Sequence, residues 1–263
     1  MFLLLHITDT HLFADPDGQL KGLNTRESFM AVTAQACESH PDCDIVVLGG
    51  DLAQDHSKDA YRSIARVMLD CDTRVHAIVG NHDDPAAMKA AFNPTVYFKK
   101  KTSALRLGGW QILFLNSQNA GKVSGRISEA DLEQLDALMS EGQDLHQLIV
   151  MHHHPVPVGS AWMDKIMVSN SDAFWKVTDK YDSLRGVLFG HVHQAFDGMR
   201  DNVRLLGSPS TTVQFKPGED DFLMDNLSPG YRWLKLLDDG GIETAVERIE
   251  GFIPDDLLDL TGY

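Results

Sequence analysis

The chain has 263 residues, 43% hydrophobic and 23% charged, proportions that exclude an extensively disordered or collagen-like chain and suit one large α/β domain. Its formal net charge is −15, which argues against nucleic acid or an anionic membrane surface as partner, because both call for a basic footprint. Cys37, Cys43 and Cys71 form an odd set without zinc spacing, so buried free thiols in a reducing compartment are expected rather than a disulfide framework.

The opening Met-Phe-Leu-Leu-Leu-His lacks a basic region and is too short for a signal or membrane segment, so it reads as the first strand of a cytoplasmic protein. Apolar runs then alternate with helical stretches: a strand over Phe2 to Ile7, a helix around Thr25 to Ser39, a strand at Ile45 to Leu48, a helix around Ser57 to Leu69, and a strand at Val75 to Val79. That rhythm is the mark of βαβ units. It changes near Lys99, where Ser103 to Leu107 and Gln111 to Leu115 flank Gly108-Gly109, a hairpin signal that opens a second sheet. Ser128 to Ser140 has a helical period through Leu132, Leu135, Leu138 and Met139, with Ser128 placed to cap it. Leu148 to Met151 and Val187 to Phe189 return to strand. Between them, the stretch 155–170 has no clean period and reads as a loop over the active site. Strands are expected at Val203 to Leu206, Thr211 to Phe215, Tyr231 to Leu237 and Ile242 to Ile249, a strand-rich segment 203–250. No repeat or low-complexity linker divides the chain, so residues 1–263 are expected to form a single domain.

Five of these apolar runs end directly in polar donor clusters: Asp9-Thr10-His11, Gly50-Asp51, Gly80-Asn81-His82-Asp83, His152 in a histidine triplet, and Gly190-His191-Val192-His193. Taken singly each is weak, since a His-x-His after a strand is more often a polar loop and an Asp after Gly-Gly is equally a turn residue. Their common placement changes the odds. In a mostly parallel sheet the carboxyl ends of the strands share one edge, where ligands gather. Oxygen donors from Asp9, Asp51 and Asn81 mixed with imidazoles from His11, His152, His191 and His193 suit Mn²⁺, Fe²⁺ or Zn²⁺. The set has no thiolate, unlike a structural zinc knot, and seven donors exceed one tetrahedral ion, so two ions sharing a carboxylate is the economical reading.

In these motifs the chain resembles the calcineurin-like metallophosphoesterase superfamily. More narrowly, it resembles the bacterial class III 3',5'-cyclic AMP phosphodiesterases in Ile7-Thr8-Asp9-Thr10-His11-Leu12-Phe13, Gly50-Asp51-Leu52-Ala53-Gln54-Asp55, His152-His153-His154-Pro155, Pro209-Ser210-Thr211-Thr212-Val213-Gln214-Phe215-Lys216-Pro217 and Ser228-Pro229-Gly230-Tyr231-Arg232. The resemblance implies an α/β fold, a four-layer α/β/β/α sandwich with mixed sheets and the metals at the sheet edge. It implies hydrolysis of a small-molecule cyclic nucleotide, 3',5'-cyclic AMP to 5'-AMP, by metal-activated water.

Residue by residue, the resemblance places Asp9, His11 and His193 with Asp51 on one ion, and Asn81, His152 and His191 with the same Asp51 on the other. Asp51 suits the bridge because a carboxylate has two oxygens. His152, first after its strand, is preferred over His153 and His154, which orient the loop or meet the substrate. His82 is a non-ligand that contacts phosphate and protonates the leaving oxygen, with His11, Asp51, Asn81 and His193 also facing substrate. Some relatives orient this histidine with an Asp three residues after the bridging Asp; here Gln54 holds that position and leaves the partner of His82 open. Asn116, where relatives often carry Asp, receives no role. Phe13, Trp162 and Phe215 are candidates to stack on adenine, with core packing as the alternative. His6, His40, His56, His76 and His146 are read as surface or core residues. The rival readings are a broader phosphodiesterase acting on 2',3'-cyclic nucleotides or glycerophosphodiesters, and a metal-binding cyclic nucleotide sensor without turnover.

Overall fold

The computed structural model describes residues 1–92, 96–254 and 257. In chain order the strands and α-helices are β1 (Phe2–Ile7), β2 (Gln19–Leu20), β3 (Leu23–Asn24), α1 (Thr25–Ser39), β4 (Ile45–Leu48), α2 (Lys58–Val67), β5 (Arg74–Ala77), α3 (Pro85–Ala91), β6 (Val96–Phe98), β7 (Ser103–Leu107), β8 (Trp110–Phe114), α4 (Glu129–Glu141), β9 (His146–Met151), α5 (Ala161–Asp164), α6 (Ser171–Thr178), β10 (Leu184–Phe189), β11 (Asp197–Arg200), β12 (Val203–Gly207), β13 (Gln214–Phe215), β14 (Met224–Asp225), β15 (Gly230–Leu236) and β16 (Ile242–Arg248). One sheet runs β16-β15-β1-β4-β5-β6 and the other β11-β12-β10-β9-β8-β7. β1, β4, β5 and β6 are mutually parallel, as are β8, β9, β10 and β12, while the remaining pairs are antiparallel. The sheets are therefore mixed, with parallel centres.

Side chains alternate across each strand, and here both faces are apolar because both are covered. Leu5, Ile7, Val46 and Leu48 pack outward against Phe29 and Val32 of α1 and Tyr61 and Ile64 of α2. Their neighbours Leu4, Ile45 and Val47 turn inward to meet Ile112, Phe114, Leu148, Val150 and Leu188 of the second sheet. The opposite face of that sheet, with Leu113, Ile149, Met151 and Val187, lies against Leu135 and Met139 of α4 and Phe174 of α6. Three apolar seams thus separate four layers, α/β/β/α. Helix starts are locally encoded: the Asn24 side chain accepts from Arg26 N and Glu27 N, Ser57 from Ala60 N, and Ser128 from Asp131 N. No helix among the described residues is long and apolar enough to cross a membrane.

Several elements differ from the sequence reading. α3, capped by Asp84 with Pro85 in its first turn, and α6 have too few periodic apolar positions to stand out. The stretch 155–170 contains the single turn α5, whose Asp164 accepts from Val158 N at 2.7 Å. Only Gln214–Phe215 of the expected strand 211–215 is extended pairing. Side chains take over the backbone bonds before it: Thr212 N donates to Ser210 Oγ (2.8 Å), and Gln214 Nε2 donates to the carbonyls of Ser210 (2.8 Å) and Thr212 (3.0 Å).

The expectation of free thiols is corrected. Cys37, near the end of α1, is disulfide-bonded to Cys71, with the two Cα atoms 5.9 Å apart. Cys43 alone stays a thiol, and burial pushes its pKa up to about 11. The pairing escaped the sequence reading because it depends on two segments 34 residues apart meeting at one end of the sheet. Closing a loop of that length removes unfolded-chain entropy, so reduction, or Cys37→Ser with Cys71→Ser, is expected to lower unfolding free energy by about 3 kcal/mol. Urea unfolding with and without dithiothreitol measures it, and coincident transitions would refute it.

His76 of β5 lies between the rings of Tyr97 (5.1 Å, 22°) and Phe114 (5.3 Å, 11°), buried in the fold. Burial first, then the charges of Lys99 and Arg74, lowers its pKa to about 4. The unfolded chain protonates this imidazole near pH 6.5 and the folded chain only near 4, so its contribution to stability is lost as pH falls through that window. His76→Phe, which keeps the ring stack, is expected to recover on the order of 2 kcal/mol at pH 4 relative to pH 7. Chemical denaturation at both values checks this; parallel pH profiles of the two proteins would refute it.

Candidate metal centre

Asp9 and His11 follow β1, Asp51 follows β4, Asn81 and His82 lie beyond β5, His152 follows β9, and His191 and His193 follow β10. β1, β4 and β5 are parallel neighbours in one sheet, and β9 and β10 in the other, so these loops share one edge of the sandwich. Backbone bonds zip the loops together: Asp9 N to Gly50 O (3.0 Å), His11 N to Asp51 O (3.0 Å), Gly190 N to His152 O (3.1 Å) and Thr211 N to Thr8 O (3.2 Å). Asp9, His11, Asp51, His191 and His193 all have positive φ, between 46° and 65°. Such left-handed backbone costs on the order of 1–3 kcal/mol per residue and persists where the surroundings over-determine it. Gly80 is required for close approach, since a Cβ there would overlap the backbone N and carboxylate of Asp51; one at Gly190 would overlap Thr8 Oγ1.

Donor atoms of Asp9, His11 and His193 lie within 4.8 Å of one another, as do those of Asp9, Asp51 and His152, and all five residues are buried. His193 Nε2 is 3.3 Å from Asp9 Oδ1, and His152 Nε2 is 3.2 Å from both Asp51 Oδ2 and Asn81 Oδ1. Outer partners fix the rings through Nδ1: His193 on Val213 O (2.8 Å), His152 on Gly49 O (2.8 Å) and His11 on Gln54 Oε1 (2.7 Å). Each leaves Nε2 for the centre. His191 Nε2 is buried without a hydrogen-bond partner, an arrangement that calls for a cation or water. Its backbone N donates to both Asp9 carboxylate oxygens at 3.1 Å.

Burial keeps the imidazoles of His11 (about 3) and His191 (well below the ordinary value) neutral, the state a metal needs. Burial alone would raise Asp51 and lower His152, but their mutual attraction wins: Asp51 lies well below the usual carboxylate range and His152 is raised to about 9. A cavity of about 300 Å³ opens beside the cluster, lined by Asp51, Asn81, His82 and His191 together with Val123, Trp162, Met163, Ile166, Phe215 and Phe222.

The family model for calcineurin-like phosphoesterases matches residues 2–195. The chain belongs to this family. A Pseudomonas aeruginosa protein named 3',5'-cyclic adenosine monophosphate phosphodiesterase CpdA is 36% identical across 99% of this chain and 95% of its own length. An Escherichia coli K12 protein of the same name is 38% identical across 94% of this chain and 89% of its own. A dimetal phosphatase from Danio rerio superposes with a TM-score of 0.64 at 16% identity, covering 94% of this chain and 98% of its own, a likeness of fold.

For a calcineurin-like phosphoesterase the donor set fits divalent metal ions: the neutral imidazoles of His11 and His191, the ionised carboxylates of Asp9 and Asp51 and the orphaned buried Nε2 of His191 converge on one small volume. The histidine triplet divides its work. His153 has both ring nitrogens engaged, Nδ1 with Ser117 Oγ (2.9 Å) and Nε2 with Val123 O (3.1 Å), so it holds the loop 117–125. His154 is fully buried, its ring against Phe189 and His191. Neither His153 nor His154 reaches the cavity, and of the three aromatic candidates only Trp162 and Phe215 line it, Phe13 standing elsewhere against Gly18.

Several supporting residues were missed. Asp83 accepts from Gly80 N (2.9 Å), Leu52 N (2.9 Å), Ala53 N (3.3 Å) and the Tyr61 hydroxyl (3.0 Å), which welds the loop after β4 to the loop after β5. Burial and then the Asp51 charge raise its pKa to about 6. Its acidic place in Gly-Asn-His-Asp was the available signal. Gln54 Oε1 holds the His11 ring at Nδ1, 2.7 Å away. Gln118 Nε2 donates to the carbonyls of Gly80 (2.9 Å) and Asp83 (2.8 Å), and Asn116 Oδ1 accepts from Gln118 N at 3.1 Å. Phe215 stacks face to face on His193, 4.1 Å between ring centroids.

Proposed function

We propose that this protein hydrolyses 3',5'-cyclic AMP to 5'-AMP at a centre of two divalent ions, Fe²⁺ or Mn²⁺ by the mixed oxygen and nitrogen donors, with Zn²⁺ as the third choice. The observation that carries the reading is the buried Asp and His cluster opening on a cavity whose lining joins Asp51, Asn81, His82 and His191 to apolar side chains. Asp9, His11 and His193 would hold one ion, Asn81, His152 and His191 the other, with Asp51 common to both. When bound, the ions would neutralise the phosphodiester charge and acidify a water.

The chain's own residues do the rest. His82 stands half-buried in the cavity wall, its backbone N donating to Asp51 Oδ1 at 2.7 Å, and its ring lies edge-on to His11 at 5.2 Å. A group tethered there contacts the phosphate and gives its proton to the leaving 3' oxygen as water adds to phosphorus and the P–O3' bond breaks. His11, Asp51, Asn81 and His193 position the substrate beside it. One small-molecule cyclic nucleotide is the partner the site fits, and the cytoplasm is the compartment where such a substrate occurs. No nucleic acid or membrane partner is proposed, consistent with the net charge of −15. Incubating metal-reconstituted protein with 3',5'-cyclic AMP and separating the products chromatographically tests the reading. 5'-AMP is the expected product; its absence from a preparation that cleaves other phosphodiesters would overturn the assignment.

A further inference from the structure

Residues 80–83 form a turn closed by Asp83 N donating to Gly80 O at 3.4 Å. Of these four residues, Asn81 and His82 at the corner line the cavity. The carboxamide of Gln118, in the segment after β8 of the second sheet, donates from Nε2 to the carbonyls at both ends of the turn, Gly80 O at 2.9 Å and Asp83 O at 2.8 Å. Two carbonyls can be met only by the NH₂ group of the amide, which carries two donors, so chemistry fixes which way this side chain faces. Its own backbone is held in turn: Gln118 N donates to Asn116 Oδ1 at 3.1 Å, and Ser117 Oγ lies 2.9 Å from Nδ1 of the buried His153. A side chain anchored beside one sheet therefore grips the turn that the other sheet presents to the site.

We infer that Gln118 is a positioning residue for proton donation: by holding both ends of the 80–83 turn it sets the place of His82 in the cavity. The inference rests on the reading of His82 as the acid that protonates the leaving 3' oxygen. Asp51 Oδ1 fixes the corner of the turn through His82 N at 2.7 Å, and the Asp83 carboxylate ties its base to the loop after β4 through Gly80 N and Leu52 N, both at 2.9 Å. Those holds come from the first sheet, and Gln118 adds one from the second. Without it Gly80 O and Asp83 O each lose a donor, and the turn loses two of the bonds that fix it. A displacement of about 1 Å at a catalytic group costs on the order of 10²-fold in rate. That cost falls on substrates whose leaving oxygen needs a proton, which gives a misplaced acid a signature of its own.

Gln118→Leu, close in size but without donors, is expected to lower kcat for cyclic AMP by about 10²-fold in metal-reconstituted protein and to cost an aryl phosphodiester much less. Gln118→Glu, nearly isosteric but with an oxygen set against both carbonyls, should reproduce the pattern at alkaline pH; parent kcat in it would overturn the inference. His82→Ala on the same two substrates separates the inference from the reading beneath it. If His82→Ala discriminates between them and Gln118→Leu lowers both alike, the role of Gln118 is merely structural and the acid stands. The double variant should lose no more on cyclic AMP than His82→Ala alone, and additive losses would also overturn the inference. Should His82→Ala cost both substrates alike, or cyclic AMP not be hydrolysed, the reading of His82 fails and amide hydrogen exchange decides whether Gln118 sets its place. Exchange over residues 80–84, read by mass spectrometry on metal-free protein, is expected to be at least about fivefold faster in Gln118→Leu, the change for two lost hydrogen bonds, with β4 and β9 unchanged. Equal rates over 80–84, or faster exchange across β4 and β9 as well, overturn it.

Discussion

Asp51→Ala is expected to reduce bound metal below two ions per chain and to lower turnover by at least about 10³-fold, beyond the 10- to 100-fold cost of losing an outer partner of a metal ligand. The carboxylate lies buried between Asp9 and His152, and it also accepts the backbone N of His82. On the proposed assignment its removal takes a donor from both ions and frees the backbone tether of His82. It also leaves His152, raised to about 9 mainly through Asp51 once burial is overcome, without the charge that supports it. Elemental analysis after dialysis, alongside phosphodiester turnover, measures the effect. His40→Ala serves as control, because His40 sits on Glu247 at 3.2 Å, outside the site, and should stay near the parent activity. Two tightly held ions in Asp51→Ala would refute the shared-ligand assignment.

His82→Ala is expected to keep both metals and lose about 10²- to 10⁴-fold in turnover of cyclic AMP, the range for general acid–base help. His82 lines the cavity and belongs to neither of the donor groups around Asp9 whose atoms lie within 4.8 Å of one another. An aryl phosphodiester, whose leaving group needs little protonation, should suffer much less from the same substitution. Measuring both substrates on one preparation separates the roles, and an equal loss on both would assign His82 to phosphate binding or site geometry instead of proton donation.

The amino-acid sequence by itself marked the βαβ units, the start of a second sheet and the strand ends that carry the donors, while the four layers were what the family resemblance implied. Apolar runs such as Ile45 to Leu48 are strand-length and two-faced, and the donors stand immediately after them; both are local patterns that survive without knowledge of neighbours. Even the left-handed backbone at Asp9, Asp51 and His193 is foreshadowed by short polar residues at strand ends, where φ above zero is tolerated best. α4, with a cap and a period, was legible for the same reason, and α1 and α2 from the alternation with strands; α3 and α6, short and weakly periodic, were not.

Tertiary structure decided what depends on who meets whom. Three consecutive histidines differ in sequence only by position, and only their partners separate them: Gly49 and Asp51 for His152, Ser117 and Val123 for His153, and a fully buried place against Phe189 and His191 for His154. Gln54 holding His11, Asp83 joining two loops, Phe222 lining the cavity and Cys37 bonded to Cys71 all depend on contacts between segments far apart in the chain. Periodicity and propensity act over a few residues, whereas a ring's available nitrogen, a carboxylate's charge and a thiol's partner are set by side chains that only folding brings within reach.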